Sequence, residues 1–431
     1  MTSISWEQYY TTNSYKLSNI DELDKITQMK GIPKLPKTTF KIEYNVDSGG
    51  KPKVPDTKTA TIVNHRLLIE NPTVMELTIQ ADSLWDYQSG DSFGVVCENN
   101  EVLVNKILER LGVDSNSSIS ISDTEDKLPK LLQQPMSIHD LFTSILDLHT
   151  FPKKPFFRML AESCSSQTEK KTLYFLSCSL GTSTYKDLKQ QFPTLLDILN
   201  LFPSCEPKLE DLVQNCPILS PRYYSISKSN HISKPNQLSF TFNVIESDKS
   251  KDHKFKGLCS NYLFDAATIS SLKNIDIFPR IAPIKFHLDG NAENLVFICN
   301  GTGLAPFIGF LQDIEYNKLE KNVVLVYGHR TKSDKLFQPE LLHFQEANIC
   351  TIIECLSQDS NATYKYVQHS LSFVDNLMES SIYVCGSGEM GKGVDDALLQ
   401  MKIKTDQCTL KESVEFWNEK TLKGTYVREL W

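Results

Sequence analysis

A chain of 431 residues with 40% hydrophobic and 23% charged side chains has the make-up of a globular protein with room for two or three domains. Its net charge of −8 offers no basic footprint for nucleic acid, and no apolar run is long enough to cross a bilayer as a helix. Met1–Tyr10 lacks the charged start and apolar stretch of a signal peptide, and eleven cysteines form no CxxC pair and no zinc-spaced Cys/His cluster. The expectation is a cytoplasmic protein with reduced, mostly buried thiols, no metal and no membrane insertion.

Residues 1–37 are polar and end in Lys34-Leu35-Pro36-Lys37, which predicts a mobile leader or linker. From Thr38 short β-type runs follow: Phe40–Tyr44, Thr59–Ile69, Val74–Gln80 and Phe93–Cys97, with a turn at Tyr87–Asp91. Short strands between turns suggest a sandwich or barrel. From Glu101 the period becomes helical, with Leu103, Ile107, Leu108 and Leu111 on one face. Asp114–Asp126, rich in Ser and Asp, predicts a polar loop. Ser137, with Asp140 three residues on, resembles a capping box, and Ile138, Leu141, Ile145 and Leu148 supply the face of the helix it would start. Further helices are expected at Pro155–Ser163, Lys170–Cys178, Tyr185–Gln191 and Leu195–Phe202, broken by Pro152, Pro193 and Pro203.

The β pattern resumes near Ile218, with runs at Arg222–Ile226, Leu238–Ile245 and Ile275–Phe278. Residues 38–100 and 208–290 therefore read as one antiparallel β-barrel, and residues 101–207 as a helical insertion within it. Over residues 291–431 strands alternate with helices: Leu295–Cys299, Val323–Tyr327, Ile349–Cys355 and Ile382–Cys385. That alternation predicts a doubly wound parallel sheet, giving an α+β part followed by an α/β part.

Three stretches carry chemistry. In Leu295–Gln312 an apolar run stops at Asn300-Gly301-Thr302-Gly303, and a helical pattern opens at Ala305-Pro306. Glycines let the backbone approach an anion, and the unpaired N–H groups at a helix start attract it. The third glycine of the dinucleotide fingerprint is missing, so an ordinary βα turn without a ligand explains this stretch equally well. Pro221–Ser227 places Arg222 and Tyr224 on one side of a strand and Ser225 on the other. Arginine can fork onto a pyrophosphate, tyrosine can pack on a ring, and serine can hydrogen-bond a ring nitrogen. Alone, the same pattern is that of a surface strand. Gly257–Leu263 is a glycine turn opening an apolar helix with Ser260 near its start, a second possible anion site. Two such sites suggest two nucleotides.

The order of Arg222–Ser225 (RYYS), Gly257–Leu263, Asn300–Gln312, Tyr327–Arg330 (YGHR), Tyr383–Gly386 (YVCG) and the final Trp431 resembles the FAD- and NADPH-binding half of the diflavin reductases. That group belongs to the ferredoxin–NADP reductase superfamily, and the resemblance covers residues 38–431. Phe202–Pro207, Ala305–Gln312 and Lys365–Gln368 are similar to its methionine synthase reductase branch in particular.

The resemblance implies roles. Arg222, Tyr224 and Ser225 would hold the FAD pyrophosphate and flavin, Gly257, Cys259 and Ser260 the rest of the diphosphate, and Phe242, Asn243 and Val244 the ring through backbone contacts. Gly301, Thr302, Gly303 and Pro306, helped by Arg330, would bind the NADPH diphosphate. Ser357, Lys365, Tyr366 and Gln368 would take the 2′-phosphoribose. Ser225, Cys385 and Glu429 would form the reducing centre, with Trp431 stacked over the flavin as a gate. Three positions depart from the family pattern: Lys228 stands where its second serine belongs, Gln358 replaces the arginine beside Ser357, and Glu429 replaces an aspartate.

The implied activity is hydride transfer from NADPH to FAD. The 37 residues ahead of the barrel are too few for an FMN domain, so electrons would pass to a separate flavodoxin-like FMN protein, with methionine synthase as the implied end user. A diaphorase serving another flavodoxin or haem protein, a silent partner-binding relative, and a nucleotide binder with an empty barrel are the competing readings.

Overall fold

The computed structural model describes residues 6–12, 15–18, 20, 23, 29–35, 39–47, 50–52, 54–123, 128–250, 253–269, 273–281 and 285–431. Its elements run α1 (Trp6–Thr12), β1 (Phe40–Tyr44), β2 (Lys58–Ile69), β3 (Val74–Gln80), β4 (Ser92–Val96), α2 (Glu101–Leu111), β5 (Ser118–Asp123), β6 (Met136–Ser137) and α3 (Ile138–Asp140). Five helices follow: α4 (Lys154–Glu162), α5 (Gln167–Ser177), α6 (Thr182–Lys189), α7 (Leu195–Leu201) and α8 (Leu209–Asn215). Then come β7 (Arg222–Ser225), β8 (Gln237–Asn243), β9 (Glu246–Ser250), β10 (His253–Lys256), α9 (Leu258–Thr268) and β11 (Asn274–Pro279). The last part holds β12 (Asn294–Asn300), α10 (Ala305–Tyr316), β13 (Asn322–His329), α11 (Gln338–Glu346), β14 (Thr351–Leu356), β15 (Ser381–Gly386), α12 (Gly388–Asp406), α13 (Leu410–Leu422) and β16 (Tyr426–Leu430). No helix among the described residues is long and apolar enough to cross a membrane.

Two compact units divide this chain. The first takes Met1–Thr57, Val96–Arg222 and Ile245–Tyr262. It is helical as expected, but three sequence expectations change. Part of the supposed leader is α1, whose Tyr9 and Tyr10 are buried in the unit's main core. Two large aromatics one turn into a helix bury more apolar surface than a polar average reveals. The stretch expected as a polar loop contains β5, where Ile119 and Ile121 face inward between outward serines. A period of two is a strand signal even when every second residue is Ser. Finally, β1 pairs antiparallel with β5, Ile42 opposite Ile121, so it belongs to this unit and not to the barrel. Alternation identifies a strand without naming its partner.

Local chemistry sets the helix ends. Asn100 caps α2 by accepting from the Val102 N–H, and Thr194 and Asp197 form a reciprocal capping box on α7. Ser137 caps α3 as anticipated, but α3 continues only as a π turn over Leu141–Ile145. Leu146 then turns extended and bridges Ile218, although Ile138, Leu141, Ile145 and Leu148 are all buried as expected. Nine cysteines are free, but the sulfurs of Cys164 and Cys205 are bonded, which corrects the expectation that all thiols are reduced. A backbone bridge between these two residues brings their Cα atoms to 4.2 Å, a separation that no spacing in the sequence reveals.

The second unit takes Lys58–Val95, Tyr223–Val244 and Leu263–Trp431. It holds an antiparallel sheet in the order β7-β4-β11-β2-β3-β8. The Ile226–Phe240 bridge and the Ser227 N–H to Ser239 O bond (2.8 Å) join its first and last members into a barrel. The same unit holds a five-stranded, all-parallel sheet in the order β14-β13-β12-β15-β16. Between their polar ends, its central strands β12 and β15 are apolar and buried, as strands covered on both faces must be. Phe307, Phe310, Leu341 and Phe344 of α10 and α11 cover one face, and Val394, Leu398 and Trp417 of α12 and α13 the other. Phe297 stacks on Phe307 with ring centroids 4.8 Å apart, and Tyr383 and Phe286 close around them. Successive strands are laid down on one side of β12 and then, from β15, on the other, so a crevice opens between β12 and β15 at their C-terminal ends.

Candidate active site

The turn after β12 lies at that crevice. Gly301–Leu304 makes one 3₁₀ turn before α10, and Pro306 sits in the first turn of the helix, where its missing N–H costs nothing. That first turn carries no acidic residue to repel an anion. A Cβ on Gly303 would lie 2.2 Å from the Cys385 carbonyl oxygen, so only glycine allows the turn to close onto β15. Beside Gly301, by contrast, no atom lies within 4 Å of where its Cβ would stand. One glycine is thus packed by the protein while the other is open, as a backbone cradle for a diphosphate requires.

The expected reducing centre is brought together by strand register. Across β12, β15 and β16, Cys299, Cys385 and Glu429 stand in one row. Glu429 Oε2 accepts from the Ser225 hydroxyl at 3.2 Å, although the two residues are 204 positions apart. Burial raises the Glu429 carboxyl above the usual range; the charge of Arg280 and hydrogen bonds from Ser225 and Ser92 oppose that rise. Cys385 is fully buried, and burial pushes its thiol well above the ordinary thiol range, so it is a neutral, soft group at physiological pH. Trp431 follows β16 with its indole 61% exposed, but its backbone is tied down: its N–H donates to Gly386 O at 3.1 Å and its carbonyl accepts from Gly388 N at 2.9 Å.

The other expected residues divide by unit. In the second unit, side chains on β7 alternate as predicted. Tyr224 joins Phe240 and Phe242 in an aromatic cluster (centroids 5.2 and 6.2 Å), while Ser225 faces Glu429. Phe242 is buried in that cluster, Asn243 is exposed, and the Val244 N–H donates to Thr73 O, which commits one of the backbone groups expected to meet a ring. In the first unit Arg222 is exposed, with Nη1 donating to Ser220 O at 2.6 Å. Gly257 starts the turn into α9, whose first turn is likewise free of acid. Ser260 and Cys259 point inward: Ser260 Oγ accepts from Ile245 N at 3.1 Å, and the buried Cys259 pairs with Cys97. Both side chains therefore brace the corner.

At the ends of β13 and β14, Ser357 N donates to His329 O and Gln358 N to Arg330 O, while Leu356 N donates to Tyr364 O. These bonds gather Arg330, Ser357 and the exposed Lys365 and Tyr366 at one sheet edge, with Gln368 against Gly393 of α12. Arg330 is half exposed and shares its charge with Asp334 at 2.9 Å, and Lys365 is exposed.

A model of an FAD binding domain matches residues 59–262, and one of an oxidoreductase NAD-binding domain matches residues 297–396. The chain belongs to the FAD- and NADP-binding oxidoreductases of the diflavin reductase type. Methionine synthase reductase of Homo sapiens is 31% identical, covering 88% of this chain and 61% of that protein; the Rattus norvegicus protein is 30% identical with the same coverage. Bifunctional cytochrome P450/NADPH–P450 reductase 2 of Bacillus subtilis is 29% identical over 83% of this chain and 34% of its own length. The chain thus spans about three fifths of the length of the methionine synthase reductases it matches.

The residues fit the cofactors of this reductase type: an acid-free helix start behind an open glycine, an exposed terminal indole, and a serine–carboxylate–thiol group at the switch point. Sequence reasoning missed Arg280. It follows a strand as an unremarkable surface arginine, and only the fold shows it donating to Glu429 at 2.9 Å.

Proposed function

We propose that this chain is the reductase part of an NADPH-dependent electron-transfer flavoprotein, accepting hydride from NADPH at FAD and delivering electrons to a flavodoxin-like FMN protein or domain, with methionine synthase as the end user. The observation that carries this reading is the Ser225–Glu429–Cys385 group at the switch point of the parallel sheet, beside the Gly301–Gly303 turn. The bound cofactors supply the hydride donor and acceptor. The protein's contribution is positioning, which for well-aligned reactants is worth several kcal/mol of barrier. Glu429 fixes the direction of the Ser225 hydroxyl, which can then meet charge developing on a ring nitrogen. The Cys385 thiol, buried in the strand row beside that carboxylate and neutral, adds no charge that would repel an electron-rich ring. The exposed indole of Trp431 would be the side chain available to cover a bound ring and to make way for nicotinamide.

Similarity to proteins named methionine synthase reductase, over most of this chain, supports the choice of end user. The purified protein is expected to be yellow and to release FAD on denaturation. NADPH should bleach it, and ferricyanide should be reduced well, with cytochrome c reduced efficiently only once an FMN protein is added. Protein that stays colourless after reconstitution with FAD would sink the reading. Similarity to P450 reductases favours a haem protein as the second choice of acceptor. Restoring methionine synthase turnover with this chain plus an FMN protein, against restoring P450 turnover, decides between them.

A further inference from the structure

The Glu429 carboxylate is held from both sides. One oxygen accepts from Ser225, and the other accepts from Arg280 Nη1 at 2.9 Å. The same Nη1 lies 3.1 Å from Ser92 Oγ, and the guanidinium sits over the ring of Tyr223, 4.7 Å from its centroid. Arginine is suited to this place because its planar head can stack on an aromatic ring while donating sideways. The elements around Glu429 present Arg280 from the end of β11, Ser92 from β4, Ser225 from β7 and Cys385 from β15. Its neighbour Arg428 is engaged elsewhere, by Asp395 of α12. Arg280 is thus the only cation among the described groups that face this carboxylate.

We propose that Arg280 is a positioning residue for hydride transfer, holding Glu429 as an anion aimed at the Ser225 hydroxyl. This rests on the function proposed above. A carboxylate 17% exposed has little water to stabilise its charge, and the Arg280 ion pair substitutes for that water. Without the guanidinium the carboxyl takes up a proton at higher pH. A protonated Glu429 can donate where it formerly accepted, and the Ser225 hydroxyl loses its fixed direction. Tyr223 and Ser92 serve the arrangement by keeping the guanidinium in one plane.

The test compares the full chain with Arg280→Met and Arg280→Lys. Two quantities are measured: the rate of flavin bleaching by NADPH as a function of pH, and the infrared titration of the protonated carboxyl band that Glu429→Gln lacks, recorded without nicotinamide. The expected result in Arg280→Met is a carboxyl titration and an acid limb of the rate profile both moved upward by about one pH unit or more, as loss of an adjacent opposite charge does. Arg280→Lys, which keeps the charge, should move both back most of the way. A carboxyl titration unmoved in Arg280→Met overturns the proposal, as does a rate loss equal at every pH in both variants, which marks a purely structural role. An unmodified chain that NADPH does not bleach overturns the proposed function, and the infrared titration still reports separately whether Arg280 governs Glu429.

Discussion

At the scale of single residues, the departures from the reductase pattern acquire a physical meaning. Lys228 is flanked by Ser227 and Ser229, both of which are buried: Ser227 donates to Glu76 at 3.0 Å and Ser229 is bonded to Asp313 and Gln312 of α10. Neither serine is free to replace the one that Lys228 displaces, so a lysine point charge is what this turn offers a phosphate. Gln358 is exposed next to Arg330, whose own charge is shared with Asp334. Restoring a guanidinium there adds a charge-assisted contact of roughly 1.5–3 kcal/mol. Gln358→Arg is therefore expected to lower KM for NADPH by about tenfold or more while leaving KM for NADH unchanged, as steady-state ferricyanide reduction with each nucleotide will show.

At the scale of elements, the turn after β12 and a polar pair within the helical unit give two further expectations. Because a Cβ on Gly303 would meet backbone rather than a movable side chain, Gly303→Ala must displace the turn from β15. The cost should be about 1–3 kcal/mol in urea unfolding. Calorimetric binding of NADP⁺ should weaken in parallel; unchanged affinity would separate this turn from nucleotide binding. In the first unit, His149 is half-buried with Nε2 3.1 Å from the Tyr10 hydroxyl, and desolvation lowers its pKa to about 4 against the pull of Asp147. The unfolded chain takes up this proton below about pH 6.5, and the folded chain only near pH 4. Stability is thus full above pH 6.5 and falls as the pH drops towards 4, by on the order of 3 kcal/mol from this group. His149→Gln cannot titrate, so its urea midpoint should stay flatter than that of the unmodified chain across this window.

At the scale of the whole molecule, the last strand carries Glu429 and leads into Trp431, two of the proposed site residues. β16 lies beside β15 in parallel register, which sets Glu429 opposite Cys385 and leaves Trp431 pinned through its backbone at Gly386 and Gly388. Deleting Trp431 would also remove the acceptor for the Gly388 N–H at the start of α12. Trp431→Ser is the cleaner probe, since it removes only the indole. It is expected to raise turnover with NADH by about tenfold or more as the gate opens; an unchanged preference between the two nucleotides would count against a covering role.

Much of this protein was legible in its residues. Period-two and helical runs located the barrel strands, the helical insertion and the alternating part, because one face of each element must be apolar. The glycine turn at Asn300–Pro306, the RYYS strand and the order of motifs pointed to an FAD-binding and an NAD-binding domain, which both family models match. What local pattern could not carry was pairing. Phe40–Tyr44 reads as a strand but joins β5, the serine-rich segment hides that strand, and the leader conceals two core tyrosines. The proposed reducing centre shows the same division. Ser225, Cys385 and Glu429 were each identifiable, yet their meeting depends on barrel closure and on the register of β15 with β16. Arg280 carried no signal at all, since an arginine after a strand is ordinary until the fold sets a partly buried carboxylate beside it. Local preferences are written in neighbouring residues, whereas register and ion pairing are decided by the long-range packing of strands far apart in the chain.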